Sequence, residues 1–416
     1  MGSASTDDKD PLVIFTPSGK RGRFAKGTPV LQAARALGVD LDSVCGGRGI
    51  CSKCQITPSF GEFAKHGVTV REDALSEWNE VEARYDRVKG LISGRRLGCQ
   101  AKVLGDVVID VPETSQVHRQ VVRKEASTKP ITMDPATRIV MVEVAEPDMH
   151  EPSGDFERLK DALAQQWDVH QVSAALPVLA KLQTVLRKGK WQISVALFQP
   201  DEGGVAQILE IWPNLHEGGI YGLAIDLGST TIAAHLCDLT TGVVMGSAGI
   251  MNPQIRFGED LMSRVSYAMM QEGGATEMTR AVREAINTLA GQIAEDAGID
   301  PKLILETVFV CNPVMHHLLL GIDPVELGQA PFALATSDAL RLSAPDLGLS
   351  TLNPQAQIYL LPCIAGHVGA DAAAVALSEA PEQSEDLVLI VDVGTNAEIL
   401  LGNKTKVLAC SSPTGP

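Results

Sequence analysis

At 416 residues, with 45% hydrophobic and 21% charged residues, the chain has room for about two to four domains and is too apolar for general disorder. A formal net charge of −16 and an aromatic content of 4% exclude nucleic-acid or anionic-membrane binding as the main role, because an acidic surface repels polyanions. No apolar run reaches the ~18 residues of a membrane helix. The opening Met1-Gly-Ser-Ala-Ser-Thr-Asp-Asp-Lys-Asp lacks the apolar core of a secretory signal, so a cytoplasmic protein is expected.

Residues 1–9 read as a disordered tail, and residues 10–112 as a compact mixed domain. Strands at Leu12–Thr16 and Arg23–Lys26 flank the hairpin signal Ser18–Gly22. A helix is expected between Pro29 and Gly38, followed by a cysteine-rich loop, a strand at Cys54–Thr57 and a strand pair between Leu97 and Val111. The loop reads Cys45-Gly-Gly-Arg-Gly-Ile-Cys51-Ser-Lys-Cys54, with a fourth cysteine at Cys99. Eight cysteines are too few for a disulfide scaffold in a chain this long, and four of them form one pattern. Three thiolates in a tight loop and a fourth downstream suit a single [2Fe-2S] cluster. Gly46, Gly47 and Gly49 let the loop wrap a flat core closely. Structural zinc is the rival metal, but its sites usually pair two short Cys-x2-Cys units, and only Cys51 and Cys54 form one here. Arg48 and Lys53 either offset cluster charge or face water. Cys237, Cys311, Cys363 and Cys410 lie in apolar surroundings and read as buried free thiols.

Over residues 10–112 the chain resembles plant- and vertebrate-type ferredoxins, which implies a β-grasp fold and a one-electron carrier held by Cys45, Cys51, Cys54 and Cys99. Five residues separate Cys45 from Cys51, where the plant pattern has four.

Residues 113–137 are polar, locally basic and aperiodic, as in a linker. Residues 138–216 read as a small αβ domain that spaces its neighbours. Its expected elements are a strand at Arg138–Val144, helical repeats at Phe156, Leu159, Leu163 and Trp167 and at Val172, Ala175, Leu179, Leu182 and Leu186, and strands at Trp191–Phe198 and Ala206–Trp212.

From residue 217 to 416 two similar stretches stand out. In the first, an apolar strand from Tyr221 ends in Asp226, Gly228, Ser229, Thr230 and Thr231. In the second, one from Leu387 ends in Asp392, Gly394, Thr395 and Asn396. Turn amides and hydroxyls of this kind grip phosphate oxygens, and each aspartate can position Mg²⁺ through water. Together they resemble the two phosphate loops of the acetate and sugar kinase, Hsp70 and actin (ASKHA) superfamily. Gly366, Gly369 and the small-residue run Ala370–Val375 resemble its first connecting helix. Asp371 reads there as a surface acid rather than a base, Glu259 and Asp260 as helix-opening charges, and His316 and His317 as packed rather than metal-ligating.

The segments Asn252–Asp260 and Asn312–Ile322 carry the resemblance further, to ATP-dependent reductive activators of corrinoid proteins, from about residue 10 to the end of the chain. That family implies an α/β multidomain protein: a β-grasp ferredoxin, a small αβ middle domain and an RNase H-like ATPase fold. Its implied cofactors are a [2Fe-2S] cluster, ATP and Mg²⁺. Its implied activity is one-electron reduction of Co(II) to Co(I) in a methyltransferase-associated corrinoid protein, with a reductase or ferredoxin as upstream donor. A homodimer is compatible with the pattern. The chain stops some twenty residues after the second phosphate loop, so the ATPase fold is expected to be partial, turnover to need the longer family pattern, and the adenosine-binding residues to lie beyond Pro416. The alternatives are an ATP-driven donor to another low-potential metalloenzyme and a redox-sensing or scaffold module with an incomplete nucleotide fold.

Overall fold

The computed structural model describes residues 10–39, 41, 47, 49, 53–63, 66–112, 115, 132–150, 152–201, 203–258, 260–394 and 396–413. The expected tail, most of the expected linker, Cys45, Gly46, Arg48, Cys51, Glu259 and Thr395 lie outside the described residues.

The N-terminal domain is a five-stranded mixed sheet. Its elements are β1 (Leu12–Thr16), β2 (Arg21–Arg23), α1 (Val30–Ala36), β3 (Gln55–Ser59), the small hairpin β4 (Gly61–Phe63) and β5 (Val68–Val70), α2 (Glu80–Lys89), β6 (Arg96–Leu97) and β7 (Val107–Asp110). The sheet order is β2-β1-β7-β3-β6. Val13, Ile14 and Phe15 of β1 are fully buried, and α1 lays Val30, Leu31, Ala33 and Ala34 against the same core. The second hairpin strand falls earlier than expected, because the turn closes tightly through Phe15 N–H to Lys20 O at 2.9 Å and pairs Ile14 with Arg21. The expected pair between Leu97 and Val111 is also corrected: β6 and β7 each pair with β3, on opposite edges, and not with each other. Helix α2 carries no strong apolar period. It is held instead by the Asn79 cap, which accepts from Glu82 N–H at 2.9 Å, and by the buried Glu82 carboxylate. That carboxylate takes a 2.7 Å ion pair from Arg96 and a 3.0 Å bond from Leu97 N–H, pinning α2 to the strand that leads into Cys99.

The middle domain contains β8 (Thr137–Glu143), α3 (Asp155–Trp167), β9 (Val172–Ala174), α4 (Leu176–Lys188), β10 (Gln192–Phe198) and β11 (Ala206–Pro213), with sheet order β8-β10-β11-β9. Val172 was expected in a helix but lies on a strand parallel to β11. Pro177 explains the break: lacking an N–H, it cannot continue a helix from upstream. Ala196 and Leu209 pack with Ile220 and Leu305 of the following domain, so the two units share a small apolar seam.

The third region opens with β12 (Tyr221–Leu227), β13 (Thr231–Asp238) and β14 (Val244–Met251), then α5 (Leu261–Met270) and α6 (Gly274–Asp296). It continues through β15 (Ile304–Cys311), α7 (Pro313–Leu320), β16 (Leu340–Ser343), β17 (Gln357–Leu360) and α8 (Ala370–Glu379) to β18 (Val388–Val393), β19 (Asn396–Asn403) and β20 (Lys406–Pro413). The first sheet has the order β14-β13-β12-β15-β17-β16, with β12 antiparallel to β13 and parallel to β15. Met278, Val282, Ile286, Leu289 and Ile293 form the buried face of α6 at helical spacing. The second sheet, β18-β19-β20, repeats the opening meander of the first. Among the described residues β18 pairs only with β19, and Leu389, Val391 and Val393 on one of its faces are exposed. The protein is thus a mixed α/β multidomain chain with a repeated actin-like element. No helix among the described residues is long and apolar enough to cross a membrane.

Both histidines of α7 are buried, as expected. His317 Nδ1 donates to Pro313 O at 3.0 Å and its Nε2 accepts from Ala335 N–H at 3.0 Å. Neither ring nitrogen of His316 has a hydrogen-bond partner among the described residues. Burial, with His317 as a lesser cause, pushes its pKa down to about 4. Between about pH 4 and 6.5 the unfolded chain therefore binds the proton that the folded chain refuses, and stability falls as pH drops through this window. At pH 5 the loss is expected to be about 2 kcal/mol, and His316→Met should remove it, as read from denaturant midpoints at pH 5 and 8.

Candidate functional site

Two of the four predicted cluster ligands are described, and the fold brings them to adjacent turns. Cys54 is buried at the start of β3, and Cys99 is half-buried just after β6. Gly98 N–H donates to Cys54 O at 2.7 Å, stapling the two cysteine-bearing segments. Gln100 Nε2 donates to Gly47 O at 2.8 Å and approaches Cys99 Sγ at 3.5 Å, so one amide ties the cysteine loop to the fourth cysteine. Gly47 and Gly49 have φ of 91° and 72°, the left-handed region that a tight loop requires of glycine. A Cβ on Gly49 would also stand 2.5 Å from Val81 Cγ1 on α2. Two soft donors, a loop of this curvature and the guanidinium of Arg35 within electrostatic reach of both thiols fit a negatively charged thiolate-ligated centre. The other two expected ligands, Cys45 and Cys51, flank Gly47 and Gly49 in the sequence and lie outside the described residues.

The first expected phosphate loop is the turn between β12 and β13. Asp226 is half-buried at the end of β12, and Ser229 is buried. The loop is held from behind: Asn252 Nδ2 donates to Gly228 O at 2.8 Å, Asn252 N–H donates to Thr230 O at 2.9 Å, and Arg264 Nη2 donates to Ser229 O. Arg264 is fully buried, and its remaining bonds run to Gly258 O at 3.0 Å, Gln254 Oε1 at 3.2 Å and Met315 Sδ at 2.8 Å. The carbonyls of residues 228–230 are thus tied inward, and Thr230 and Thr231 on the same turn are only partly buried. The second loop is the turn between β18 and β19. Asp392 is exposed there, Gly394 N–H donates to Asn396 O at 2.8 Å, and Glu398 is paired in register with Asp392.

Asp371 joins the two loops, and its expected place on the surface is corrected. It sits in the first turn of α8, which packs against both β15 and β19. A Cβ on Gly369 would lie 2.5 Å from Cys311 O, so glycine is what lets α8 cross the end of β15. There Asp371 is half-buried, and its pKa is pushed up to about 7 by burial and by the charges of Glu398 and Asp226, against an Ala372 N–H bond that opposes the shift. Burial, with Asp392 a further cause, also raises Glu398. The acids of both loops thus lie within electrostatic reach of Asp371, and a carboxyl poised near neutrality is what a general base requires. Sequence reading took Asp371 for a surface acid rather than a base and singled out no role for Glu398. The available signals were a lone acid in the small-residue run Ala370–Val375, and a glutamate two positions after Asn396 on the same face of β19.

Of the remaining cysteines, Cys311 and Cys363 are buried, and burial raises the thiol pKa of both, that of Cys363 to about 11. Cys237 is only half-buried and Cys410 is exposed, against expectation. Cys410 lies on β20, at the edge of the three-stranded sheet.

A thiolate-rich ferredoxin-type domain joined to an actin-like nucleotide fold defines the class. Sequence models of the RACo linker region, the RACo middle region and the C-terminal ASKHA domain of RACo match residues 126–218, 221–383 and 386–416, in that order. The chain belongs to the RACo family. It is 29% identical over 389 residues to the corrinoid activation enzyme RamQ of Eubacterium limosum, covering 93% of this chain and 58% of RamQ. The solved structure of a reductive activator for corrinoid, iron-sulfur protein superposes with a TM-score of 0.64 and 28% identity over 98% of this chain and 64% of its own. The N-terminal part is 28% identical over 104 residues to 2Fe-2S ferredoxin-5 of Aquifex aeolicus (strain VF5), covering 24% of this chain and 99% of that ferredoxin. The chain spans about three-fifths of the length of its two long relatives.

Proposed function

We propose that this chain is the electron-delivering and phosphate-binding part of an ATP-dependent reductive activator, which returns a corrinoid protein from inactive Co(II) to Co(I). The observation that carries the reading is the meeting, in one chain, of a ferredoxin-type cysteine site and a half-buried carboxyl, Asp371, within electrostatic reach of acids from both expected phosphate loops. Cys45, Cys51, Cys54 and Cys99 hold the cluster, which when bound supplies a carrier for one electron at a time. Gln100 fixes the loop around it. Asp226 and Asp392 position Mg²⁺ on the nucleotide, and Gly228, Ser229, Thr230, Thr231, Gly394, Thr395 and Asn396 hold its phosphates. Asp371 accepts the proton of the attacking water, its carboxyl held near neutrality by burial and, to a lesser degree, by Glu398 and Asp226. Coupling to ATP is physically needed, because each ~59 mV by which the corrinoid lies below its donor costs a factor of ten in the one-electron equilibrium. A reductase or separate ferredoxin recharges the cluster.

The test mixes the reduced protein, carrying the full length of its relatives, with Mg-ATP and a Co(II) corrinoid protein and follows the visible spectrum. Co(I) is expected only when ATP is present. Reduction that ignores ATP, or none with ATP, overturns the reading.

A further inference from the structure

The cluster-bearing domain and the nucleotide fold touch at a point that neither chemistry requires. Arg35 lies on α1, whose buried residues face the ferredoxin core, and its own side chain reaches out across 221 residues of sequence. Its Nε donates to Arg256 O and its Nη2 donates to Phe257 O at 3.3 Å. The guanidinium carbon stands 4.8 Å from the centroid of the Tyr267 ring and 6.0 Å from that of Phe257. Tyr267 is in turn fixed by its hydroxyl, which donates to Glu277 Oε2 at 3.0 Å. A planar fork with two carbonyl acceptors and an aromatic platform is a directional contact that lysine could not reproduce.

The accepting carbonyls belong to the short turn Pro253–Phe257, and both flanks of that turn are fastened to the first phosphate loop. On one side, Asn252 caps the turn through Gln254 N–H at 2.9 Å and holds Gly228 O. On the other, Arg264 holds Gly258 O and Ser229 O. Gln254 locks the turn from within, donating to Met278 O at 2.9 Å and accepting from Arg264. Any movement of residues 228–230 on binding phosphate therefore shifts the carbonyls that Arg35 grips.

We propose that Arg35 is a docking latch that seats the cluster-bearing domain on the nucleotide fold, and that the segment 252–264 makes this docking respond to occupancy of the first phosphate loop. Arg35 is a positioning residue in this scheme. The docking stands on the contacts alone; its electronic meaning rests on the cluster reading, since the Cys54 and Cys99 thiols lie within electrostatic reach of the Arg35 guanidinium.

The experiment uses the cluster-loaded protein carrying the full length of its relatives, with visible absorbance confirming cluster content. Docking is read by small-angle scattering and by the rate of tryptic cleavage within residues 113–137, where Arg119, Arg123, Lys124 and Lys129 supply sites. Losing charged hydrogen bonds of this kind shifts a docking equilibrium by about tenfold or more. Arg35→Ala and Arg35→Lys should therefore enlarge the particle and speed cleavage by about that factor. Adding a Mg²⁺-bound non-hydrolysable ATP analogue should change the wild-type cleavage rate and leave that of Arg35→Ala unchanged. If Arg35→Ala loses its cluster, Tyr267→Leu removes the platform from the opposite domain and should loosen docking with the cluster intact. A compact, slowly cleaved Arg35→Ala, an equal nucleotide response in both proteins, or an unchanged Tyr267→Leu each overturns the proposal. No corrinoid protein is present, so failure here is distinct from failure of the proposed activity.

Discussion

Cys99→Ser is expected to abolish the visible absorption and the reduced-state electron paramagnetic resonance signal of the loaded protein. Serine keeps the volume and replaces a soft thiolate by a hard hydroxyl that remains protonated, so a thiolate-ligated iron centre loses one of its four bonds. Cys99 gives the cleaner test of the two described ligands. Cys54 is 1% exposed and packs in the same core as Ile56, so changing it perturbs folding as well as ligation. Cys99 is half-buried, and its neighbours are placed by Gln100 and by the Gly98–Cys54 bond. The matched control is Cys237→Ser, a half-buried thiol on β13 that no functional contact uses. Retention of full cluster content in Cys99→Ser would remove it from the ligand set.

Asp371→Asn is expected to lower ATP hydrolysis by roughly 10²–10⁴-fold, the span of general-base contributions, when assayed in a protein carrying the full length of the relatives. The pH dependence distinguishes a base from a packing residue. In the wild type the carboxyl is protonated below about pH 7 and free to accept a proton above it, so activity should rise through that value. The variant should lack this limb. Stability moves the opposite way. A carboxyl whose folded pKa lies above its unfolded value contributes stability below about pH 4, and this is lost as pH rises through about 7. At pH 8 Asp371→Asn should therefore be more stable than the wild type while far less active, a combination typical of strained functional groups. Undiminished turnover, or a surviving limb near pH 7, would assign Asp371 to packing.

Much of the site was visible in the chain because it is written locally. The cysteine spacing, the glycines of its loop and the two Asp-x-Gly strand ends occupy short windows, and their chemistry follows from residue type. The element pattern was legible where apolar residues recur strongly, as in β1, α1 and α3. It was not legible in α2, which is held by one buried Glu82–Arg96 pair rather than an apolar stripe, nor at Val172, where Pro177 overrides a helical period.

By itself, then, the sequence determined which donors are present and which turns can approach a metal or a phosphate, since both depend on neighbours a few residues apart. Only the tertiary structure decided which charges share a space. Asp371 becomes a carboxyl near neutrality because α8, crossing β15 at Gly369, buries it and brings it within electrostatic reach of Glu398 and Asp226, groups 27 residues after it and 145 before it in the chain. Arg35 becomes a link between domains because the carbonyls of Arg256 and Phe257 are folded onto α1. Burial and Coulomb interaction act through distance in space, and no local pattern encodes them.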